Sequence, residues 1–102
     1  MTILVGYVNA QRAQALTVEE IRENMTRDEQ FAYKAGIIDA FAIERFLSNP
    51  RDEDGMNCII DWYYNSEDER SRLFQQEDLF DQHPDRQVAV LLYSLFRQEC
   101  GD

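Results

Sequence analysis

The sequence predicts an all-α fold, a compact single-domain bundle of about five helices. Three segments, beginning at Thr17, Thr26 and Ser66, have the S/T-x-x-E pattern in which a hydroxyl and a carboxylate cap a helix reciprocally. Apolar residues recur at helical spacing behind them. No hairpin dipeptide is present and β-branched residues are modest in number, so nothing in the chain favours a sheet.

Residues 1–15 are set apart from the helical domain, which we assign to residues 16–102. They contain a short apolar run from Ile3 to Val8, and Ala13-Gln14-Ala15 has the A-x-A form of a signal-peptidase site. We prefer a signal-peptide remnant, with the mature chain beginning near Leu16. The alternative is an N-terminal arm that packs on the domain, because the run is short and no basic residue precedes it.

Two helices are predicted to follow the first two capping boxes. Val18, Ile21 and Met25 form one apolar line in the first, which is short. The second is the longest and should run from about Arg27 to Ser48. It stops there because Asn49 precedes a proline, and such a residue disfavours helical geometry.

The longest helix has a wide apolar stripe. A stripe of that width indicates a central helix covered on more than one side. Its members are Phe31, Ala35, Ile38 and Ala42 in one line, with Ile37, Phe41 and Leu47 beside it.

The second half of the chain predicts three further helices. Arg51–Gly55 is interpreted as a charged loop, and a helix should run from Met56 to Tyr64, where Asn65 breaks it. The next helix follows the capping box at Ser66, carries the apolar pairs Leu73-Phe74 and Leu79-Phe80, and ends at His83-Pro84.

The last helix has the clearest apolar stripe in the chain. Asp85 is placed to cap its start, and Gly101 follows it as a C-terminal glycine stop. The stripe consists of Val88, Leu91, Leu92, Leu95 and Phe96.

Cys58 and Cys100 are the two cysteines of the chain, and they bracket the last pair of helices. A disulfide between them would close a loop worth about 4 kcal/mol in the chain-entropy model. The apolar run and the A-x-A site favour export, and disulfides persist in oxidising compartments. We therefore expect the bond. The alternative is two separate buried thiols, since free cysteine is often buried.

The composition bounds the class of protein. A chain of 102 residues is one domain, and 44% hydrophobic residues exclude disorder. A net charge of −10 disfavours nucleic acid as a partner and suits either solubility or docking to a basic protein. No apolar run approaches the ~20 residues that span a bilayer.

Candidates for catalysis are poor. His83 is the one histidine, and it precedes a proline in a predicted turn. Metal and phosphate motifs are absent, and the acidic run Asp52-Glu53-Asp54 lacks the ligand spacing of a calcium loop. We therefore expect no catalytic residue, no metal and no cofactor, and a protein that is not an enzyme.

Three consecutive aromatic residues, Trp62, Tyr63 and Tyr64, cannot all face one core from a single helix. At least one should reach the surface, where aromatic residues favour protein binding. We expect a partner-binding site formed by these three residues with the carboxylates of Asp52, Glu53 and Asp54 nearby. The alternative is core packing with an incidental exposed tyrosine.

Four features follow one another along the chain: the tyrosine- and glycine-containing helix Phe31–Ala40, the pair Cys58-Ile59, the turn Leu79–Asp85 and the apolar helix from Val88 to Cys100. In this order they resemble a family of small secreted bacterial proteins, the type VI secretion amidase-immunity (Tai/Rap-like) proteins, with a looser similarity to HdeA-like acid-stress chaperones. The resemblance implies a periplasmic all-α domain with a disulfide that binds protein and does not catalyse.

The first functional hypothesis is accordingly a periplasmic or secreted protein that binds another protein, as an immunity protein neutralising a cell-wall-degrading effector. Its partner would be a basic enzyme met by the acidic surface. The alternative is an HdeA-like chaperone that exposes apolar surface at low pH. A homodimer is a further option for either hypothesis.

Overall fold

The computed structural model describes residues 16–65, 67 and 69–101 and, within them, contains five α-helices and no strand. The all-α prediction is confirmed. Residues 1–15, interpreted above as a signal remnant or arm, lie outside the described residues. The helices are α1 (Val18–Asn24), α2 (Arg27–Leu47), α3 (Glu53–Tyr64), α4 (Glu69–Gln82) and α5 (Val88–Cys100).

Capping boxes start the first two helices, as predicted. Thr17 Oγ1 accepts from the Glu20 amide and Glu20 Oε1 accepts from the Thr17 amide, both at 3.1 Å. Thr26 and Glu29 repeat the arrangement at 3.1 and 2.9 Å. The pattern that begins at Ser66 includes residues outside the described part of the chain.

The core lies where α2, α3 and α5 meet, with α1 and α4 closing it. The apolar stripe predicted for α5 is buried in full. Trp62 of α3 meets the ring of Phe96 edge-on, with the ring centroids 5.4 Å apart. The buried apolar residues are Val18, Ile21, Ile38, Ala42, Ile59, Trp62, Phe80, Val88, Leu91, Leu92, Leu95 and Phe96.

Two members of the stripe predicted for α2 are exposed: Phe31 (57%) and Leu47 (71%). Lys34 is buried in their place, because its ammonium finds a carboxylate on α4, Glu77, at 3.7 Å. Burial lowers the pKa of Lys34, and Glu77 opposes that shift. Arg22 of α1 pairs with the same carboxylate at 2.9 Å, so one ionic cluster joins α1, α2 and α4.

The predicted charged loop Arg51–Gly55 is wrong, because α3 already begins at Glu53. Asp52 is its N-cap and accepts from the Gly55 amide at 2.9 Å, which lowers the pKa of the Asp52 carboxyl, with help from Arg45. A Cβ at Gly55 would clash with the Asp52 carboxylate and the Arg45 guanidinium. Glycine therefore permits this close cap.

On α4, Phe80 is buried, whereas Leu73 and Phe74 are 52% and 68% exposed. Gln76 is buried on the same helix. Helical spacing turns Phe74 away from the line that contains Gln76 and Phe80. Leu73 falls on that line, seven residues before Phe80, and is nevertheless exposed.

Asp85 does not cap α5; the N-cap is Gln87, without a side-chain hydrogen bond. The chain before α5 is instead occupied in backbone pairing with the segment that leads into α1. The Val18 amide donates to Arg86 O and the Val88 amide donates to Leu16 O, both at 3.0 Å. This pairing keeps the chain extended past Asp85, so α5 begins later.

The predicted disulfide is confirmed. Cys58 in α3 is bonded to Cys100 at the end of α5, and their Cα atoms are 5.8 Å apart. Gly101 follows with a φ of +79°, the left-handed geometry that favours glycine after a helix. The bond fixes the C-terminal end of α5 against the middle of α3.

Candidate functional site

The three consecutive aromatic residues point in different directions. Trp62 is a core residue, 4% exposed, with the Arg72 guanidinium 5.2 Å from its ring on the outer side. Tyr63 is half-buried and Tyr64 is 43% exposed. The expectation that at least one of the three reaches the surface is confirmed, and Tyr64 is the residue that does so.

A surface of stacked rings forms around Tyr63. The ring of Phe31, from the first half of α2, stacks on Tyr63 with centroids 6.0 Å apart. Tyr64 meets Tyr63 edge-on at 4.9 Å. We call Phe31, Tyr63 and Tyr64 the aromatic patch. Its rings hold one another in place, so exposed apolar area is presented on a rigid frame.

Three carboxylates lie near the rings of the aromatic patch. Asp39 accepts a hydrogen bond from the Tyr64 hydroxyl at 2.9 Å. Asp28 lies one turn before Phe31 on α2, and Asp61 lies one turn before Tyr64 on α3. All three aspartates are exposed. The patch thus has an apolar centre and an acidic rim.

The acidic run predicted to accompany the aromatics is at the other end of α3. Asp52 caps this helix and pairs with Arg45 at 3.2 Å, while Glu53 and Asp54 form its first turn. At 1.5 Å per residue, ten residues of helix separate Asp54 from Tyr64 by about 15 Å. The prediction that Asp52, Glu53 and Asp54 lie beside the aromatic residues is therefore corrected. The carboxylates near the aromatic patch are those of the rim.

Burial raises the pKa of Tyr63 to about 12, and the adjacent Tyr64 and Asp39 add to the shift. Burial and the hydrogen bond to Asp39 also raise the pKa of Tyr64. Both phenols therefore remain protonated at neutral pH. In that state each hydroxyl is a hydrogen-bond donor for Asp39 or for a partner.

The raised pKa of Tyr63 predicts a loss of stability in alkali. Unfolded Tyr63 ionises near its ordinary value of 10, and folded Tyr63 near 12. Its stabilising contribution is complete below pH 10 and is lost as the pH rises to 12, because the unfolded state then binds fewer protons. Urea unfolding at about pH 9 and about pH 11.5 should show a smaller loss for Tyr63→Phe than for the parent.

The exposed Tyr93 provides the control for this experiment, because Tyr93→Phe removes one phenol from α5, away from the patch. Tyr93→Phe should follow the parent over the same pH interval. Equal losses for the parent and Tyr63→Phe would contradict the prediction.

A groove of about 790 Å³ lies between the end of α2, the turn before α3, and α5. The Arg45 guanidinium within it pairs with Asp52 and donates to the carbonyls of Cys100 and Gly101, so its charge serves to hold the end of α5. The Ser48 hydroxyl lies within hydrogen-bond distance of two backbone carbonyls, Arg45 O at 2.7 Å and Pro50 O at 2.8 Å, and donates its one hydrogen to either. These polar groups of the groove therefore already have partners within the chain. The groove's ring side chains are Phe41, Tyr93 and Phe96.

Apart from the ionic cluster of Arg22, Lys34 and Glu77, no further chemistry-bearing groups converge in the described residues. His83 is exposed in the turn between α4 and α5. The described part of the chain contains no group of three or more His, Cys, Asp or Glu side chains arranged to hold a metal ion. None of its helices is both long and apolar enough to cross a membrane.

Comparison with protein-family models, curated proteins and solved structures gives no match to this chain.

Sequence reasoning missed Phe31 and Asp39 as members of this surface. Phe31 falls on the apolar stripe of α2, and that pattern predicts a buried side chain. A signal was present in the width of that stripe, which holds more apolar side chains than one helix side can bury. Asp39 carries no signal by itself, because its role depends on Tyr64 of the neighbouring helix.

Proposed function

We propose that this protein binds another protein through the aromatic patch and does not catalyse a reaction. The observation that carries the proposal is the pair of exposed rings, Phe31 and Tyr64, held by the half-buried Tyr63 between them. Rigid aromatic anchors with few rotatable bonds are the residues that contribute most to protein interfaces. Because Phe31 and Tyr64 are exposed to water, packing of the core does not account for their stacked arrangement.

The acidic rim indicates the chemistry of the partner. Asp39 is hydrogen-bonded to Tyr64, Asp28 and Asp61 each lie one helical turn from a ring of the patch, and the chain carries a net charge of −10. A basic surface would be attracted over a distance of about 8–10 Å at physiological salt and would associate faster than a neutral one. The partner we propose is therefore a protein with a basic rim around an apolar site.

The resemblance to amidase-immunity proteins supports a more specific form of this proposal. In that form the protein is periplasmic or secreted and neutralises a cell-wall-degrading effector enzyme by covering it. The disulfide supports such a compartment, because disulfides persist in oxidising surroundings.

The alternative is an HdeA-like acid-stress chaperone. Leu73 and Phe74 on α4 favour it, since they already expose apolar area that an unfolded client would contact. Protonation of the twenty acids would leave ten Lys and Arg plus one histidine, and thus move the net charge from −10 toward +11. Suppression of client aggregation at about pH 3, absent at pH 7, would favour this alternative.

The binding proposal is tested by kinetics against purified peptidoglycan amidases, beginning with any that the neighbouring genes encode. Phe31→Ala and Tyr64→Ala should each speed dissociation roughly tenfold or more, because each removes an anchor. Tyr93→Ala is the matched control, an equally exposed tyrosine on α5, and should dissociate like the parent.

Charge reversal separates steering from anchoring in the same experiment. Asp28→Lys with Asp61→Lys should mainly slow association and reduce its dependence on salt. Glu53→Lys with Asp54→Lys changes the charge equally at the far end of α3 and should have the smaller effect. If all of these variants bind and dissociate like the parent, the aromatic patch is not the contact surface.

A further inference from the structure

Aromatic rings outside the aromatic patch are repeatedly covered by basic side chains. Among the described residues, a cation lies between 4.4 and 5.8 Å from a ring centroid in four pairs: Lys34 on Phe80, Arg51 on Phe46, Arg72 on Trp62 and Arg97 on Tyr93. The π-electron face of an aromatic ring attracts a cation, and arginine is the usual partner. Three of these four cations are arginines. The fold thus uses its ring faces as contacts for basic groups.

The rings of the aromatic patch differ from these, because no basic side chain of the described residues lies over Phe31, Tyr63 or Tyr64. Lys34 follows Phe31 by three residues but is buried, and Arg27 precedes it by four without covering the ring. Phe31 is 57% and Tyr64 43% exposed. The ring faces of the patch are therefore open to a cation from another molecule.

The arrangement of the rings suits a flat cation with an apolar stem. The planes of Tyr63 and Tyr64 are perpendicular, at 89°, while Phe31 lies nearer to parallel with Tyr63, at 29°. Arginine is the side chain that fits such a surface, because its planar guanidinium stacks on a ring face and its methylene stem covers apolar area. A lysine ammonium is a compact, strongly hydrated charge and gains less from a ring face.

Asp39 supplies the anion that would orient this cation. Its Oδ1 accepts a hydrogen bond from the Tyr64 hydroxyl at 2.9 Å, and its second oxygen has no hydrogen-bond partner among the described residues. A guanidinium carries five N–H donors around a planar centre. Its face can therefore lie on a ring while its edge donates to the second oxygen of Asp39, as a charge-assisted hydrogen bond.

We propose that the aromatic patch recognises an arginine side chain of the partner protein, with the guanidinium stacked on the exposed rings and its edge on Asp39. This inference rests on the function proposed above, because it names the group that the patch binds. The methylene stem of the arginine supplies the apolar contact, and its charge matches the acidic rim and the net charge of −10.

Titration of the full chain with N-acetylarginine N-methylamide tests this recognition without a known partner. Followed by NMR at constant ionic strength, the ring protons of Phe31 and Tyr64 should shift and saturate with a Kd on the order of tens of millimolar, as expected for one side chain. The ring of Tyr93 is the internal control. It is as exposed as Tyr64 but already has the Arg97 guanidinium over it, so its protons should shift little.

Two further probes separate charge from shape. N-acetylcitrulline N-methylamide has nearly the same shape as the arginine probe but no charge, and should bind roughly fivefold more weakly or worse. N-acetyllysine N-methylamide has the same charge without the planar group, and should bind about twofold more weakly or worse.

Variants of the protein locate the site. Tyr64→Leu keeps apolar area but removes the ring face, and Asp39→Asn removes the charge but keeps an acceptor for the Tyr64 hydroxyl. Each should weaken binding of the arginine probe roughly threefold or more. Tyr93→Leu is the matched control and should bind the probe like the parent. Circular dichroism checks that every variant is folded.

The inference is overturned if the citrulline or lysine probe binds as tightly as the arginine probe, or if Tyr64→Leu and Asp39→Asn bind it like the parent. Failure of the function proposed above looks different, because Phe31→Ala and Tyr64→Ala would then leave dissociation of the partner protein unchanged. If Tyr64→Ala speeds that dissociation and Tyr64→Leu does not, the patch binds its partner through apolar area alone, and the arginine contact is wrong.

Discussion

Replacing both Cys58 and Cys100 with alanine should lower the free energy of unfolding by about 4 kcal/mol. The bond closes a separation of 42 residues and removes that freedom from the unfolded chain. Because a domain of this size is stable by about 5–15 kcal/mol, the loss is a large share of the total. Urea unfolding of the parent and of the double variant measures it.

The parent under a strong reductant is the control for this experiment, and it should unfold like the double variant. Alkylation under denaturing, non-reducing conditions followed by mass measurement should leave both cysteines of the parent unmodified. Two alkylated cysteines in the parent would contradict the prediction. So would unfolding free energies of the oxidised parent and the double variant that agree within about 1 kcal/mol.

Trp62→Ala should cost about 3–5 kcal/mol of stability, whereas Tyr64→Ala should cost less than about 1 kcal/mol. The indole fills the core against Phe96, and its removal leaves a cavity. Tyr64 is largely in water and loses one exposed hydrogen bond, to Asp39. Chemical denaturation followed by far-ultraviolet circular dichroism compares the two variants without relying on tryptophan fluorescence.

Trp62→Phe refines this prediction. The buried indole nitrogen has no hydrogen-bond partner among the described residues. Phenylalanine keeps most of the apolar contact and removes the unpaired donor, so its cost should be well below that of alanine. Equal stability losses for Trp62→Ala and Tyr64→Ala would contradict the division between core and surface.

Local signals predicted the helix starts best. The capping boxes at Thr17 and Thr26 involve residues three apart, so they form wherever the chain is helical. The start of α3 was missed although its signal is also local: Asp52 caps the Gly55 amide without the carboxylate that completes a box. Charge and a glycine made this segment resemble a loop.

Burial was predicted less well, because it depends on where neighbouring helices lie. Phe31 and Ile38 are both apolar members of one stripe, yet one is exposed and the other buried. Lys34 is buried because Glu77 reaches it from α4, a relation between residues 43 apart in sequence. The run Trp62-Tyr63-Tyr64 predicts that at least one ring reaches the surface. The identity of the exposed ring depends on the position of α2, which the run does not specify.

Both ends of α5 are bonded to other parts of the chain, and this affects which helices open first in the folded domain. The ends of a helix are ordinarily the first parts of it to fray. Here the backbone bond between Val88 and Leu16 fixes its beginning and the bond from Cys100 to Cys58 fixes its end. We expect the amide hydrogens of α5 to exchange with solvent only through opening of the whole domain, while α4, with exposed Leu73 and Phe74, opens in smaller events. The last helix of the described residues thus becomes the most slowly exchanging part of the described fold.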